Sequence, residues 1–106
     1  MKVNANVFYV ASENLVYICW EKLNNIDKYV IYKNNNELIS GTEEDFKRPR
    51  MFDLGHHTEL FRPETIHWAF FKDENVEKFQ SYDYQITAIE GGCEIYASDI
   101  ISLKIE

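Results

Sequence analysis

The side chains best suited to metal chemistry gather in one stretch. His56, His57 and His67 fall within twelve positions, and imidazole is the commonest protein ligand for zinc. A shared metal needs ligands that converge, two apart on a strand or four apart on a helix. Adjacent His56 and His57 would point to opposite faces of a strand, and no cysteine lies near them. The three are metal candidates by type and not by spacing, so no metal or other cofactor is expected. Cys19 and Cys93 are the only thiols. A nucleophilic cysteine needs a base within reach and a depressed pKa, and nothing in the sequence places a histidine beside either. Cys19 reads as a small outward residue of a strand and Cys93 as an exposed hairpin thiol. The acidic run Glu43, Glu44 and Asp45 reads as a solvated loop, while Gly41, Gly55, Gly91 and Gly92 form no phosphate-cradling pattern. The expectation is a protein that is not an enzyme.

Recognition chemistry is better represented. All three arginines, all three histidines and both prolines lie between Gly41 and Phe71. From Phe46 to Trp68 four basic residues face three acidic ones, a net +1 that leaves −8 for the remainder. Interfaces are enriched in arginine and aromatic residues, which nominates Arg48, Arg50, Phe52, Phe61, Arg62 and Trp68 as partner-binding candidates within a segment of about 42–68. Long irregular loops on a rigid scaffold tend to carry function. A structural alternative stays open, in which Met51, Phe52, Leu54, Leu60, Phe61 and Trp68 fold back to cover a sheet edge or face. The clustered histidines predict that binding through this segment changes between about pH 5 and 7.

A length of 106 residues points to one domain, 1–106, burying roughly 65% of the surface its unfolded chain exposes. The formal charge of −7 repels phosphate backbones and anionic lipids, so neither nucleic acid nor membrane is expected as a partner. No apolar run approaches 18 residues, and MKVNANVFYVASEN lacks the features of a secretory signal. The compartment is left open. Two free thiols favour a reducing, cytoplasmic one, and an excised extracellular domain would read the same.

The elements that must position these residues are strands. In SYDYQITA, Tyr82, Tyr84, Ile86 and Ala88 fall on one side of an extended chain and Asp83, Gln85 and Thr87 on the other. Val7 to Val10 and Leu15 to Trp20 are further strands, the second with Val16, Ile18 and Trp20 as its core row. Lys28 to Lys33 places Tyr29 and Ile31 on one face, and Asn34-Asn35-Asn36 marks a hairpin turn back into Glu37 to Ser40. Gly91-Gly92 marks another, leading to a last strand from about Glu94 to Ile105. Ile95, Ala97, Ile101, Leu103 and Ile105 read as one face of that strand, with a bulge or exposed edge near Ser98 and Asp99. These six or seven short strands describe an all-β, two-sheet antiparallel sandwich with Greek-key links.

At this point the chain resembles a fibronectin type III domain of the compact bacterial kind, an immunoglobulin-like sandwich of about seven strands. The residues that carry the resemblance are VYICW with Trp20, KYVIYKNNNELI, and FFKDENVEKFQSYDYQITAIEGG, with Ser98, Ile101 and Leu103 after it. The match spans roughly residues 5 to 105 apart from 42–68, where the usual connection is shorter. It implies a structural core of Trp20, Tyr29, Tyr82, Tyr84 and Ile86. It also implies a tyrosine corner at Tyr82, whose phenol would bond to backbone a few residues upstream. Antibody-type domains carry a cysteine where this chain has Tyr84. The resemblance implies a non-catalytic binding or spacer module, contacting protein and acting as a monomer or weak dimer. A carbohydrate-binding accessory domain, with Trp68 and Tyr32 stacking on sugars, is the alternative.

Overall fold

The computed structural model describes residues 2–46 and 68–106. Within them eight strands form two antiparallel sheets: β1 (Ala5–Val10), β2 (Leu15–Glu21), β3 (Lys28–Lys33), β4 (Asn36–Gly41), β5 (Trp68–Asp73), β6 (Ser81–Glu90), β7 (Cys93–Ala97) and β8 (Ile101–Lys104). The three-stranded sheet has the order β1-β2-β5, and the five-stranded sheet runs β4-β3-β6 with β7 and β8 both paired to the far side of β6. The chain crosses between sheets from β2 to β3, from β4 to β5 and from β5 to β6. The all-β sandwich expected from the alternation is the observed architecture.

Turn chemistry sets the two hairpins. Asn34 and Asn35 take φ of 53° and 66°, and Gly91 and Gly92 take 60° and 81°. Both pairs link adjacent strand ends, Lys33 to Asn36 and Glu90 to Cys93, as two-residue turns with left-handed backbone do. Asn34 also pins its turn to β6: its N–H donates to Asp83 O at 2.8 Å and its Oδ1 accepts from Asp83 N at 2.9 Å.

One apolar cluster lies between the sheets. Val16, Ile18 and Trp20 of β2 meet Tyr29 and Ile31 of β3 and Tyr84, Ile86 and Ala88 of β6, and Val3, Phe46, Ala69, Val76 and Ile105 belong to the same cluster. Trp20, Tyr29, Tyr84 and Ile86 are fully buried, whereas Tyr82 is half-buried at the margin. The Trp20 ring packs tilted on Tyr29 at 5.5 Å and edge-on to Phe46 at 5.0 Å. Its Nε1 has no hydrogen-bond partner among the described residues.

Three readings change. The last strand is two strands, and their inward faces are out of phase. Tyr96 packs on the core from β7, while Ile95 is 38% exposed; Leu103 and Ile105 pack inward after the break. Ser98 makes the break, its N–H donating to Ile86 O at 2.8 Å while its Oγ accepts from Ile86 N at 2.9 Å. Side chain and main chain both serve one β6 residue there, so the ladder stops and the two-residue alternation slips by one. Second, Tyr17 and Cys19 face away from the inter-sheet core but are buried. They join Val10, Leu15 and Phe70 in a second apolar cluster, which is why LVYICW is apolar without alternation. Third, the acidic run is not simply a solvated loop. Residues Glu43–Phe46 form a 3-10 turn in which Asp45 Oδ2 accepts from Thr42 N at 2.8 Å and from Thr42 Oγ1 at 3.2 Å. That one-sided cap delivers Phe46, fully buried, onto Trp20. Gly41 is required beside it, since a Cβ there would lie 2.7 Å from Asp45 Oδ2.

Candidate functional site

Arg48, Arg50, Phe52, Phe61, Arg62, His56, His57 and His67 lie outside the described residues, and with them the expected pH response of the 42–68 segment. Both ends of that segment are described, and both are built into the frame. Phe46 is in the core, and Trp68 opens β5 opposite Glu21. Trp68 is half-buried against the Tyr17–Cys19–Phe70 cluster and lines a cavity of about 230 Å³ together with Asn4, Asn6 and Asp99.

Tyr32 belongs to the other sheet, on its outer face. Its hydroxyl donates to Glu94 Oε2 at 2.6 Å, and Thr87 Oγ1 donates to the same oxygen at 2.8 Å. The two hydrogen bonds hold the Glu94 carboxyl below its ordinary range, and the bond to Glu94 pushes the Tyr32 phenol up. Trp68 and Tyr32 therefore stand on opposite sheets and form no common platform for a sugar ring.

The strongest electrostatic feature is a buried tie between the sheets. Asp73, at the inward end of β5 and 2% exposed, accepts at Oδ2 from Lys33 Nζ at 2.8 Å and from Tyr84 Oη at 2.7 Å, and at Oδ1 from Asn75 N at 3.1 Å. Lys33 Nζ also donates to Asn75 O at 2.6 Å and sits 4.6 Å from the Tyr82 ring centroid. Every polar atom of the tie is served, as a buried charge pair requires. Burial first, then the hydrogen bond to Asp73 and its charge, push the Tyr84 phenol far above its ordinary value. Sequence reasoning placed Tyr84 in the core without this partner. The available signal was a lone lysine and a lone aspartate, each at the inward parity of its strand.

Beyond the tie the chain makes a corner. Tyr82 Oη accepts from Glu77 N at 2.9 Å, the backbone contact expected of a corner tyrosine. Phe79 N donates to Ile105 O at 2.6 Å, and Ile105 N donates to Gln80 O at 2.9 Å. Pinned on both sides, Phe79 takes φ of 69° and is 77% exposed. A left-handed backbone costs a bulky residue about 1–2 kcal/mol, and an exposed ring recovers none of it by burial. Sequence reading passed over Phe79, because strain is a property of φ that composition does not show.

At the far end of β6, the β2–β3 loop and the 3-10 turn line an open, mostly polar depression of about 400 Å³, in which Leu23 and Ile26 stand among Asn24, Asp27, Thr42 and Glu43. Asp27 anchors the loop: its N–H donates to Ile89 O at 2.8 Å and its Oδ2 accepts from Gly91 N at 2.7 Å.

Burial pushes the Cys19 thiol up to about 12, against a smaller lowering by a hydrogen bond with the Asn6 backbone. That is the reverse of what a nucleophile needs. Cys93 is exposed and both thiols are free. Among the described residues no group of histidine, cysteine, aspartate and glutamate side chains converges as a metal site, and no helix is long and apolar enough to cross a membrane. No protein-family model matches the chain, and comparison with curated proteins and with solved structures finds no match.

Proposed function

We infer that this chain is a non-catalytic binding module, similar in role to fibronectin type III domains, that contacts protein through an exposed ring at the corner before β6. The observation that carries this reading is Phe79. Its φ of 69° is unfavourable to the isolated fold, its 77% exposure recovers none of that cost by burial, and the strain is relieved by Asn, which tolerates left-handed backbone. Strained and exposed positions of this kind concentrate where a structure meets a partner, and aromatic rings dominate the energetics of such contacts. Lys33, Asp73 and Tyr84 hold the frame behind the ring.

The test is Phe79→Asn. The variant is expected to be more stable than wild type by about 1 kcal/mol, measured by urea unfolding, and to lose a protein partner that wild type retains in affinity capture. Ile100→Ser, which removes an apolar side chain 56% exposed elsewhere, is expected to keep that partner. Equal capture by wild type and Phe79→Asn refutes the reading.

A further inference from the structure

The outer face of the three-stranded sheet is buried more deeply than its own strands can explain. Tyr17, Cys19 and Phe70 point away from the inter-sheet core, yet they are 0%, 5% and 4% exposed. The side chains clustered with them, from Phe8, Val10, Leu15 and Trp68, all belong to β1, β2 and β5 themselves. Neighbours on one face of a sheet shelter the flanks of a side chain and leave its top to solvent. Tyr32 marks that limit: it stands on the outer face of the other sheet, on a strand flanked by β4 and β6, and is only half-buried. Phe70 has less lateral shelter, because β5 is the last strand of its sheet among the described residues, and it is buried further. Atoms from another part of the chain must lie over it.

We propose that residues 47–67 pack across this face as a third layer over β1, β2 and β5. The ends of the segment name it as the occupant. Phe46 packs inside the sandwich, edge-on to Phe71 of β5 at 6.2 Å, whereas Trp68 opens β5 as part of the outer cluster. The residues between them therefore leave on the inner side of β5 and return on its outer side. Fully extended they reach roughly 65–70 Å, several times the roughly 10 Å from β1 to β5. Met51, Phe52, Leu54, Leu60 and Phe61 supply the apolar groups such a layer needs. The charge also suits, since the stretch from Phe46 to Trp68 carries +1 and the remainder −8. A second copy is not needed, because the burial is reached within one chain. A face filled by its own chain is not open to another protein, and none of this depends on Phe79.

The experiment is photocrosslinking of the full chain. The photoreactive residue p-benzoylphenylalanine replaces Asn6 or Lys72, exposed positions on the outer face that pair with Cys19 and Tyr17. It also replaces Glu37, an exposed position paired with Tyr32 on the other sheet. After irradiation and digestion, mass spectrometry is expected to find the Asn6 and Lys72 probes joined to peptides of 47–67 in the same chain, and the Glu37 probe not. A second measurement uses Cys19 as the reporter in a Cys93→Ser background. With Met51, Phe52, Leu54, Leu60 and Phe61 all changed to Ser, Cys19 is expected to react with Ellman's reagent at least about tenfold faster than the accompanying loss of global stability predicts, as local opening allows. Urea unfolding gives that loss. Asn6 and Lys72 probes that join only a second copy, or only other parts of the frame, overturn the proposal, as does a folded serine variant in which Cys19 reacts no faster. If the serine variant does not fold, the cross-links decide.

Discussion

Tyr84→Phe isolates the tie between the sheets with little change of shape. The substitution removes one hydroxyl and leaves the ring in place. Asp73, 2% exposed, loses the donor 2.7 Å from Oδ2 and keeps Lys33 and Asn75 N. A hydrogen bond to a charged group contributes about 1.5–3 kcal/mol, so Tyr84→Phe is expected to lower the unfolding free energy by that amount. At about 4–8 °C per kcal/mol for a chain of this size, the midpoint falls by about 6–24 °C. Asp73→Ala goes further, because it strands Lys33, the Tyr84 hydroxyl and Asn75 N together, and about 3–5 kcal/mol is expected. The alkaline limb gives an independent reading. The folded Tyr84 pKa is raised above its ordinary value of 10.0, so above pH 10 the unfolded chain releases a proton that the native chain keeps. The stabilisation is complete below pH 10 and is lost as pH climbs toward the folded value, at about 1.4 kcal/mol per unit. The gap between wild type and Tyr84→Phe must therefore narrow above pH 10. Urea unfolding followed by tryptophan fluorescence from pH 7 to 11 measures both effects. A Tyr84→Phe variant within about 0.5 kcal/mol of wild type at pH 7, or a gap that stays constant above pH 10, would show that the hydroxyl does not stabilise the fold through Asp73.

Two further outcomes follow from burial. Ellman titration of the native protein is expected to find one reactive thiol, Cys93, with Cys19 reacting only after unfolding, because burial holds its pKa at about 12; two fast thiols in native protein would contradict this. Phe46→Ala removes a ring edge-on to Trp20 at 5.0 Å and to Phe71 at 6.2 Å, and a loss of about 3–5 kcal/mol is expected in thermal or urea unfolding.

The frame was legible because its alternation is nearly uninterrupted. Val16, Ile18 and Trp20 against Tyr29 and Ile31, with Tyr84 and Ile86 across from them, is the observed core, and the Asn-Asn and Gly-Gly turns announced their own φ values. Legibility failed where one residue answers to two demands. Ser98 is small and polar, so it reads as a bulge or an exposed edge, yet it is 4% exposed and bonds to Ile86 through both side chain and main chain. Phe46 stands beside acidic residues and reads as part of the 42–68 segment. A Thr-x-x-Asp spacing ahead of an apolar residue is a capping signature, and it was available. The partner-binding candidates were chosen for composition. The ring with the most conspicuous backbone, Phe79, sits in an acidic loop that composition ranks low.

The inter-sheet tie and the corner are one continuous piece of structure, and the tie bears on the backbone at Phe79. Tyr84 is tied to Asp73, and Asp73 leads directly through Asn75 and Glu77 to Phe79. Asn75 is fixed by Asp73 and Lys33, Glu77 by Tyr82, and Phe79 by Ile105, so alternate residues of the loop are anchored to the frame. A loop held this often loses little entropy on binding, which is how preorganisation raises affinity. The strain at Phe79 persists for the same reason, since the surrounding bonds leave its backbone no other conformation. Tyr84→Phe should then loosen more than the core. If the tie preorganises the corner, amide hydrogen exchange at Glu77 and Phe79 quickens in that variant by more than the global loss of stability predicts, while Val30 in β3 tracks the global value. Uniform acceleration across all three sites would mean that the tie and the ring are energetically separate.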